Sequence, residues 1–215
     1  GRWGGRMLQP QNMPRPTISA TDMAAEIVRN DEIDMYYDKP MSVLNSIVRS
    51  CLVPSEGRSL LVGDYSQIEA RIVPWLAGQE DVLEAFRKGE DIYKVAASGI
   101  FRVPLEEVTK AQRAVGKVAI LALGFGGGVQ AFINMAKQYR VPVPRDVEAI
   151  VKAWRRANKK IVDFWYNLDK AFRALLADDY NGDVLKVGKV KLSLKGKTVR
   201  IHIPNGETLR YHGAA

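Results

Sequence analysis

Apolar and polar positions alternate with different periods in different parts of the chain, and each period predicts an element. The first 20 residues hold three prolines with several Asn, Gln and Gly and sustain no period. They are expected to be extended or looped, held in place by some other part of the chain. Helical spacing first appears over residues 41–51. Turn residues at 55–58 then lead into Leu60-Leu61-Val62-Gly63-Asp64-Tyr65, a run that predicts a buried strand with an acid at its end. Helical spacing returns over 67–76, 81–88 and 91–100, interrupted by Pro74 and Gly78. Pro104-Leu105-Glu106-Glu107 has the composition of a helix N-terminus, and residues 110–123 form a helix candidate that must end at the glycines 124 and 126–128. Two amphipathic helices are predicted over 129–139 and 145–176, with Asn158 marking a bend or boundary in the second. Beyond Asp178-Asp179-Tyr180-Asn181-Gly182, polar and apolar residues alternate over 184–203, with turns at Gly196 and Asn205-Gly206. This predicts a β-hairpin or three-strand meander. The fold class is α+β, dominated by helix.

Composition narrows the class of function. Hydrophobic content of 47% and charged content of 26% are ordinary for a globular protein. Thirty-two Lys and Arg against 24 Asp and Glu give a formal charge of +8, an excess that favours polyanionic partners. One cysteine, Cys51, forms no internal disulfide, and with only His202 and His212 no Cys/His zinc cluster can be built. No apolar run approaches the ~20 residues of a membrane span, and Gly1–Arg6 contains no signal-peptide core, so a cytoplasmic location without membrane contact is expected. The chain opens on Gly1 and its last residues close no recognisable element, which reads as a piece of a longer protein.

Two constellations carry chemistry. In Asp64-Tyr65-Ser66-Gln67-Ile68-Glu69-Ala70-Arg71 an acid leaves the predicted strand and a second acid follows five residues later. A lone Asp there would serve equally as a turn former or helix cap. Arg113, Lys117, Leu121 and Phe125 recur every fourth residue on the 110–123 helix and its end, so they share one slowly drifting face. Two cations followed by two large apolar groups suit a nucleoside triphosphate, charge along the phosphates and a flat surface under base and sugar. The same stripe on an amphipathic helix could equally present two solvated cations.

The first string resembles motif A of the family A DNA polymerases, and the stripe, about fifty residues later, resembles their motif B on the fingers O-helix. The opening Gly1-Arg2-Trp3-Gly4-Gly5-Arg6 and Gln9-Pro10-Gln11-Asn12-Met13-Pro14-Arg15 is similar to the family's primer–template contact segment, and Asp91-Ile92-Tyr93 stands where the family often has Asp-Ile-His. The resemblance implies a partial palm over residues 1–103 and fingers over 104–215. It further implies template-directed transfer of a nucleotidyl group from dNTP to a primer 3′-hydroxyl, with a two-ion Mg²⁺ site for which this chain supplies Asp64 and the Tyr65 carbonyl. Arg113 and Lys117 would be catalytic and nucleotide-binding, joined in nucleotide binding by Leu121, Phe125, Glu69, Tyr93 and Gln67. Arg2, Gln11, Asn12, Arg15 and Arg71 would contact the DNA primer and template.

Departures from the family pattern matter as well. Phe125 replaces the usual Tyr, so the hydroxyl that would reach Glu69 is absent, and Leu121 replaces Phe or Tyr. Tyr93 replaces His and carries no positive charge at neutral pH. The family's second metal-binding acid belongs to a His-Asp-Glu triplet found nowhere in the 215 residues. Asp178-Asp179 reads as a helix-end turn instead, and the run Gly124–Gly128 fits neither common phosphate-loop pattern. The chain alone is therefore expected to bind DNA without extending a primer, and to need the remainder of the polymerase, thumb and second palm segment, in the same or another chain. A non-catalytic DNA-binding module derived from the polymerase fold is the competing expectation. Cations at Lys186, Lys189, Lys191, Lys195, Lys197 and Arg200, with no acid from Val184 to Gly206, either track a nucleic-acid backbone or guard a sheet edge.

Overall fold

The computed structural model describes residues 9–214, arranged in two compact units, 1–64 and 65–215. In the first, a 3₁₀ turn at Pro10–Asn12 precedes α1 (Thr21–Arg29), α2 (Ile33–Tyr36) and α3 (Pro40–Ile47), the last continued by a 3₁₀ turn at Val48–Cys51. Pro40 sits in the first turn of α3, where its missing N–H costs nothing. Ala24, Val43 and Ile47 form the core of this unit. Within the aperiodic opening, residues 13–17 are pinned by polar contacts, and residues 1–8 lie outside the described residues. Arg49 donates to the carbonyls of Met13 at 2.7 Å and Pro14 at 3.0 Å, and the buried Ser46 hydroxyl accepts from the Thr17 N–H at 3.1 Å.

The strand predicted over Leu60–Tyr65 does not form. Residues 59–65 make no regular structure, and Leu61 and Val62 are 97% and 95% exposed. A strand exists only where neighbours satisfy its N–H and C=O groups, and among the described residues no segment pairs with this one. Apolar sequence alone supplied the signal for burial.

The second unit opens with α4 (Ile68–Ala77), entered through Gln67 in the left-handed region and closed by Gly78 at φ +72°. Pro74 lies inside α4 and does not end it. Next come α5 (Glu80–Arg87) and α6 (Ile92–Phe101), the latter capped by Asp91. The helix start expected at Pro104 is only a 3₁₀ turn, Leu105–Glu107. The α-helix itself, α7 (Lys110–Leu123), begins behind Thr109, whose hydroxyl accepts from the Gln112 N–H while the Gln112 side chain accepts from the Thr109 N–H. This reciprocal cap satisfies two donors that the first turn would otherwise leave unpaired.

Helix α8 covers Val129–Gln138. The predicted long helix is two, α9 (Val147–Ala157) and α10 (Lys159–Ala174), broken at Asn158, whose amide donates to the Trp154 carbonyl at 2.9 Å. Val118, Ala119, Leu123, Phe132 and Trp154 lie in the core joining α6 to α10. Helix α7 packs on α6 with almost no gap at Gly116, where a Cβ would stand 2.2 Å from the Tyr93 carbonyl oxygen.

The chain ends in a four-stranded antiparallel meander, β1 (Leu185–Val187), β2 (Val190–Lys195), β3 (Thr198–His202) and β4 (Thr208–His212), in sequential order. It holds more strands than predicted. A turn at Gly188, φ +54°, separates β1 from β2, and the short β4 completes the sheet. One face packs on α10 through Leu192, Val199 and Ile201 against Ala171 and Leu175.

Candidate nucleotide site

Helix α7 and its exit carry the four-residue stripe, with α6 alongside and the start of α4 nearby. Leu121 and Phe125 line a cavity of about 500 Å³ together with Tyr65, Gln67, Glu69 and Tyr93. Six positions singled out from the sequence thus meet at one concavity. Part of its lining is apolar, with residues such as Val82, Ala96 and Ile161 from α5, α6 and α10. Phe125, in that lining, is 60% exposed and presents a ring rather than a hydroxyl. The side chain of Glu69, which also lines the cavity, has no hydrogen-bond or ion-pair partner among the described residues.

The two cations of the stripe lie outside the cavity lining, and the chain's own groups occupy them. Arg113 donates from Nε to Asp91 Oδ2 at 2.5 Å and stacks over the Tyr93 ring at 5.2 Å. Asp91 divides its carboxylate, since Oδ1 accepts from the Tyr93 N–H at 3.0 Å and caps α6. Partial burial works to raise the Asp91 carboxyl, but the Arg113 guanidinium and the backbone N–H groups outweigh it and hold it below the usual range. Lys117 places Nζ 4.3 Å from the centre of the Tyr139 ring. Asp91 and Tyr139 were not recognised as site residues from sequence. An Asp just ahead of a helical run was the available signal for the cap, whereas nothing local announces that Tyr139 of the α8 end meets α7.

The glycine-rich exit of α7 has a support of its own. Arg155 on α9 donates from Nη2 to the Gly127 carbonyl at 3.3 Å. Arg71, expected on DNA, spends its guanidinium within its own unit, donating to the Ser66 carbonyl at 3.0 Å and lying 4.2 Å over the Phe86 ring. It thereby braces the turn that carries Gln67 into α4. Of the opening segment, Arg2 lies outside the described residues, as does the side chain of Gln11. Asn12 donates to the Gln9 side chain at 2.5 Å and Arg15 is exposed.

Asp64 is exposed and stands at the end of the unpaired stretch in the first unit, and Tyr65 is 80% exposed. Among the described residues no group of three His, Cys, Asp or Glu could hold a metal ion. Two divalent ions about 4 Å apart would require at least two carboxylates, so Asp64 with the Tyr65 carbonyl would fill one corner of such a site without completing it. No helix among the described residues is long and apolar enough to cross a membrane.

The chain resembles known proteins along nearly its whole length. It is 38% identical over 216 residues to a DNA polymerase of Bacillus phage SP02, an alignment covering 98% of this chain and 33% of the phage protein. DNA polymerase I of Pseudomonas aeruginosa is 42% identical over 96 residues, 44% of this chain and 10% of that protein. The thermostable DNA polymerase I of Thermus aquaticus is 35% identical over 118 residues, 55% of this chain and 14% of that protein. The chain therefore spans a third or less of the length of these relatives. Residues 40–175, which include Asp64, the α7 stripe and the cavity wall, match the model of DNA polymerase family A. With most of its length inside that match, the chain belongs to DNA polymerase family A.

Proposed function

We propose that this chain is the part of a template-directed DNA polymerase that receives the incoming dNTP, with residues 1–103 contributing to a palm and 104–215 forming fingers. The observation that carries the reading is the shared wall of Leu121, Phe125, Gln67, Glu69 and Tyr93, continued up α7 by Lys117 and Arg113. Base and sugar would rest on the apolar end, and the triphosphate would lie along the cationic end. For that, Arg113 exchanges the Asp91 carboxylate for a phosphate, and Lys117 leaves the face of Tyr139. Lys117 then neutralises charge, or supplies a proton, at the departing pyrophosphate. Asp64 with the Tyr65 carbonyl would hold Mg²⁺, which brings charge neutralisation to the phosphates. A second carboxylate would be needed to complete a two-ion site.

Binding of a fluorescent dNTP analogue to the 215-residue chain tests this reading. Lys117→Ala and Arg113→Ala are each expected to weaken binding about tenfold or more, in line with removal of a charge-assisted hydrogen bond. Unchanged affinity in both variants would remove α7 from the nucleotide site. A second reading, a DNA-binding module without catalysis, is favoured by Phe125, whose ring stands where the family has a tyrosine hydroxyl. Primer extension decides between them when the chain is assayed within a full-length polymerase: synthesis abolished by Asp64→Ala supports the first, and synthesis indifferent to it supports the second.

A further inference from the structure

The register of the C-terminal meander sorts its side chains onto two faces, because successive residues of a strand point to opposite sides. Leu192, Val199 and Ile201 are buried against α10. The opposite face carries Lys186 paired with Lys191 across β1 and β2, Arg200 paired with Arg210 across β3 and β4, and Lys195 on β2. Lys186, Lys191, Lys195 and Arg210 are exposed and Arg200 is half-buried. None of these five enters a hydrogen bond or ion pair through its side chain among the described residues, and the Arg200 Nε, screened from solvent, has no acceptor at all. Between them lie hydroxyls and imidazoles, with Ser193 and Thr208 bonded to the two nitrogens of His202 at 2.9 and 3.0 Å. From Val184 onward the chain has seven Lys and Arg against one acid, Glu207, which is +6 of the formal +8.

Guarding a sheet edge does not explain this pattern. Edge protection calls for charge on the outermost strands, yet Lys191, Lys195 and Arg200 lie on the two interior ones. Like charges directly opposite one another across a ladder also destabilise a sheet. The face contains two such pairs and no acid to relieve them, an arrangement with a stability cost that an external anion would offset. The face also lacks the apolar or aromatic side chains that a membrane-surface element inserts, and it has no Phe, Tyr or Trp on which bases could stack.

We propose that the outer face of this sheet is a second nucleic-acid contact surface, separate from the nucleotide site, that takes the phosphodiester backbone without reading sequence. The proposal rests on the polymerase reading for the identity of the polyanion. Lys186, Lys191, Lys195, Arg200 and Arg210 each offer a cation to a phosphate, spaced about 4.5–5.5 Å across strands and about 6.6–6.8 Å along them. Binding at this face releases counterions and is therefore steeply dependent on salt.

The test uses the 215-residue chain, a labelled single-stranded oligonucleotide and a duplex of the same length, with affinity followed by fluorescence anisotropy over a range of salt concentrations. The variants K186Q/K191Q and R200Q/R210Q are each expected to weaken binding several-fold at low salt. Each should also make the log–log salt slope shallower by about 0.7–0.9 for every phosphate that is no longer neutralised. A control, K137Q/K152Q, removes two cations from α8 and α9. A weakening in the control equal to that in the sheet variants, or unchanged slope and affinity in both sheet variants, would overturn the proposal. Removing like-charge pairs should leave the melting temperature unchanged or higher, and a lower one would count against it by giving the pairs a structural role. Preference for the single strand or for the duplex assigns the face to the template overhang or to the primer–template stem. Affinity for phosphatidylserine vesicles with none for DNA would also overturn it. A chain that binds no DNA at any salt concentration brings down the polymerase reading as well, whereas DNA binding that the sheet variants share equally brings down only the sheet.

Discussion

At the scale of single residues, Asp91 does two jobs with one carboxylate, capping α6 and holding Arg113 of α7. Because its folded-state pKa is lowered, its contribution to stability is complete above the ordinary carboxyl value of 3.8 and is lost as pH falls through the lower folded value. Asp91→Asn should therefore melt below the parent chain at neutral pH, with the difference closing on acidification. A difference that persists unchanged at the acid end would show that the ion pair contributes nothing. Substitution of Gly116 acts through shape alone. Gly116→Ala forces a Cβ against the Tyr93 carbonyl oxygen, and parting α6 from α7 should cost about 1–3 kcal/mol, read as a lowered denaturation midpoint. An undisturbed midpoint would contradict the close crossing. Residue-level chemistry was legible where it was local: the four-residue recurrence of Arg113, Lys117, Leu121 and Phe125 follows from helix geometry. The partners Asp91 and Tyr139, each 22 residues from the cation it meets, could not be found by any periodicity.

At the scale of elements, Thr109 and Gln112 show how a boundary is set. Pro104 and the two glutamates after it attract a sequence reading toward an early helix start, but those residues spend themselves on a 3₁₀ turn, and the α-helix waits for the first residue able to cap it. Thr109→Ala should cost about 1 kcal/mol and should fray the end of α7 nearest Arg113, a change visible as faster amide exchange at Lys110–Arg113. Protection equal to the parent's would remove the cap from the account. Asn158 was legible as a boundary because an Asn amide competes for backbone carbonyls, and here it takes that of Trp154. The turn at Gly188 was not legible, since β1 is only Leu185–Val187 and separates from the alternation of β2 only by folding back to pair with it. The strand expected at Leu60–Tyr65 failed for the opposite reason. Its residues suit a strand, but no partner lies alongside among the described residues.

At the scale of the whole chain, residues 52–67 contain no helix or strand and join two compact units with separate cores. Backbone that is exposed and unpaired is the first to fit into a protease. Brief trypsin treatment is expected to cut first after Arg58, releasing a fragment that begins at Ser59 and retains the helices α4–α10 and the sheet. First cleavage inside α7 or α9 would contradict this division. The helix-dominated α+β class was legible in the sequence because most of its helices bury one stripe and leave the other wet, so their pattern survives in the linear order of residues.

The bare Leu60-Leu61-Val62 run has a practical consequence beyond the fold. Three adjacent apolar side chains, on backbone that makes no hydrogen bond among the described residues, make a template onto which the same run of another molecule can add, rung by rung, as in cross-β stacking. Concentrated stocks of this chain should therefore cloud with age even under conditions where every helix remains intact. The seed would be these three residues, and a charged replacement at Val62, which is almost fully exposed, would lengthen shelf life without touching either core.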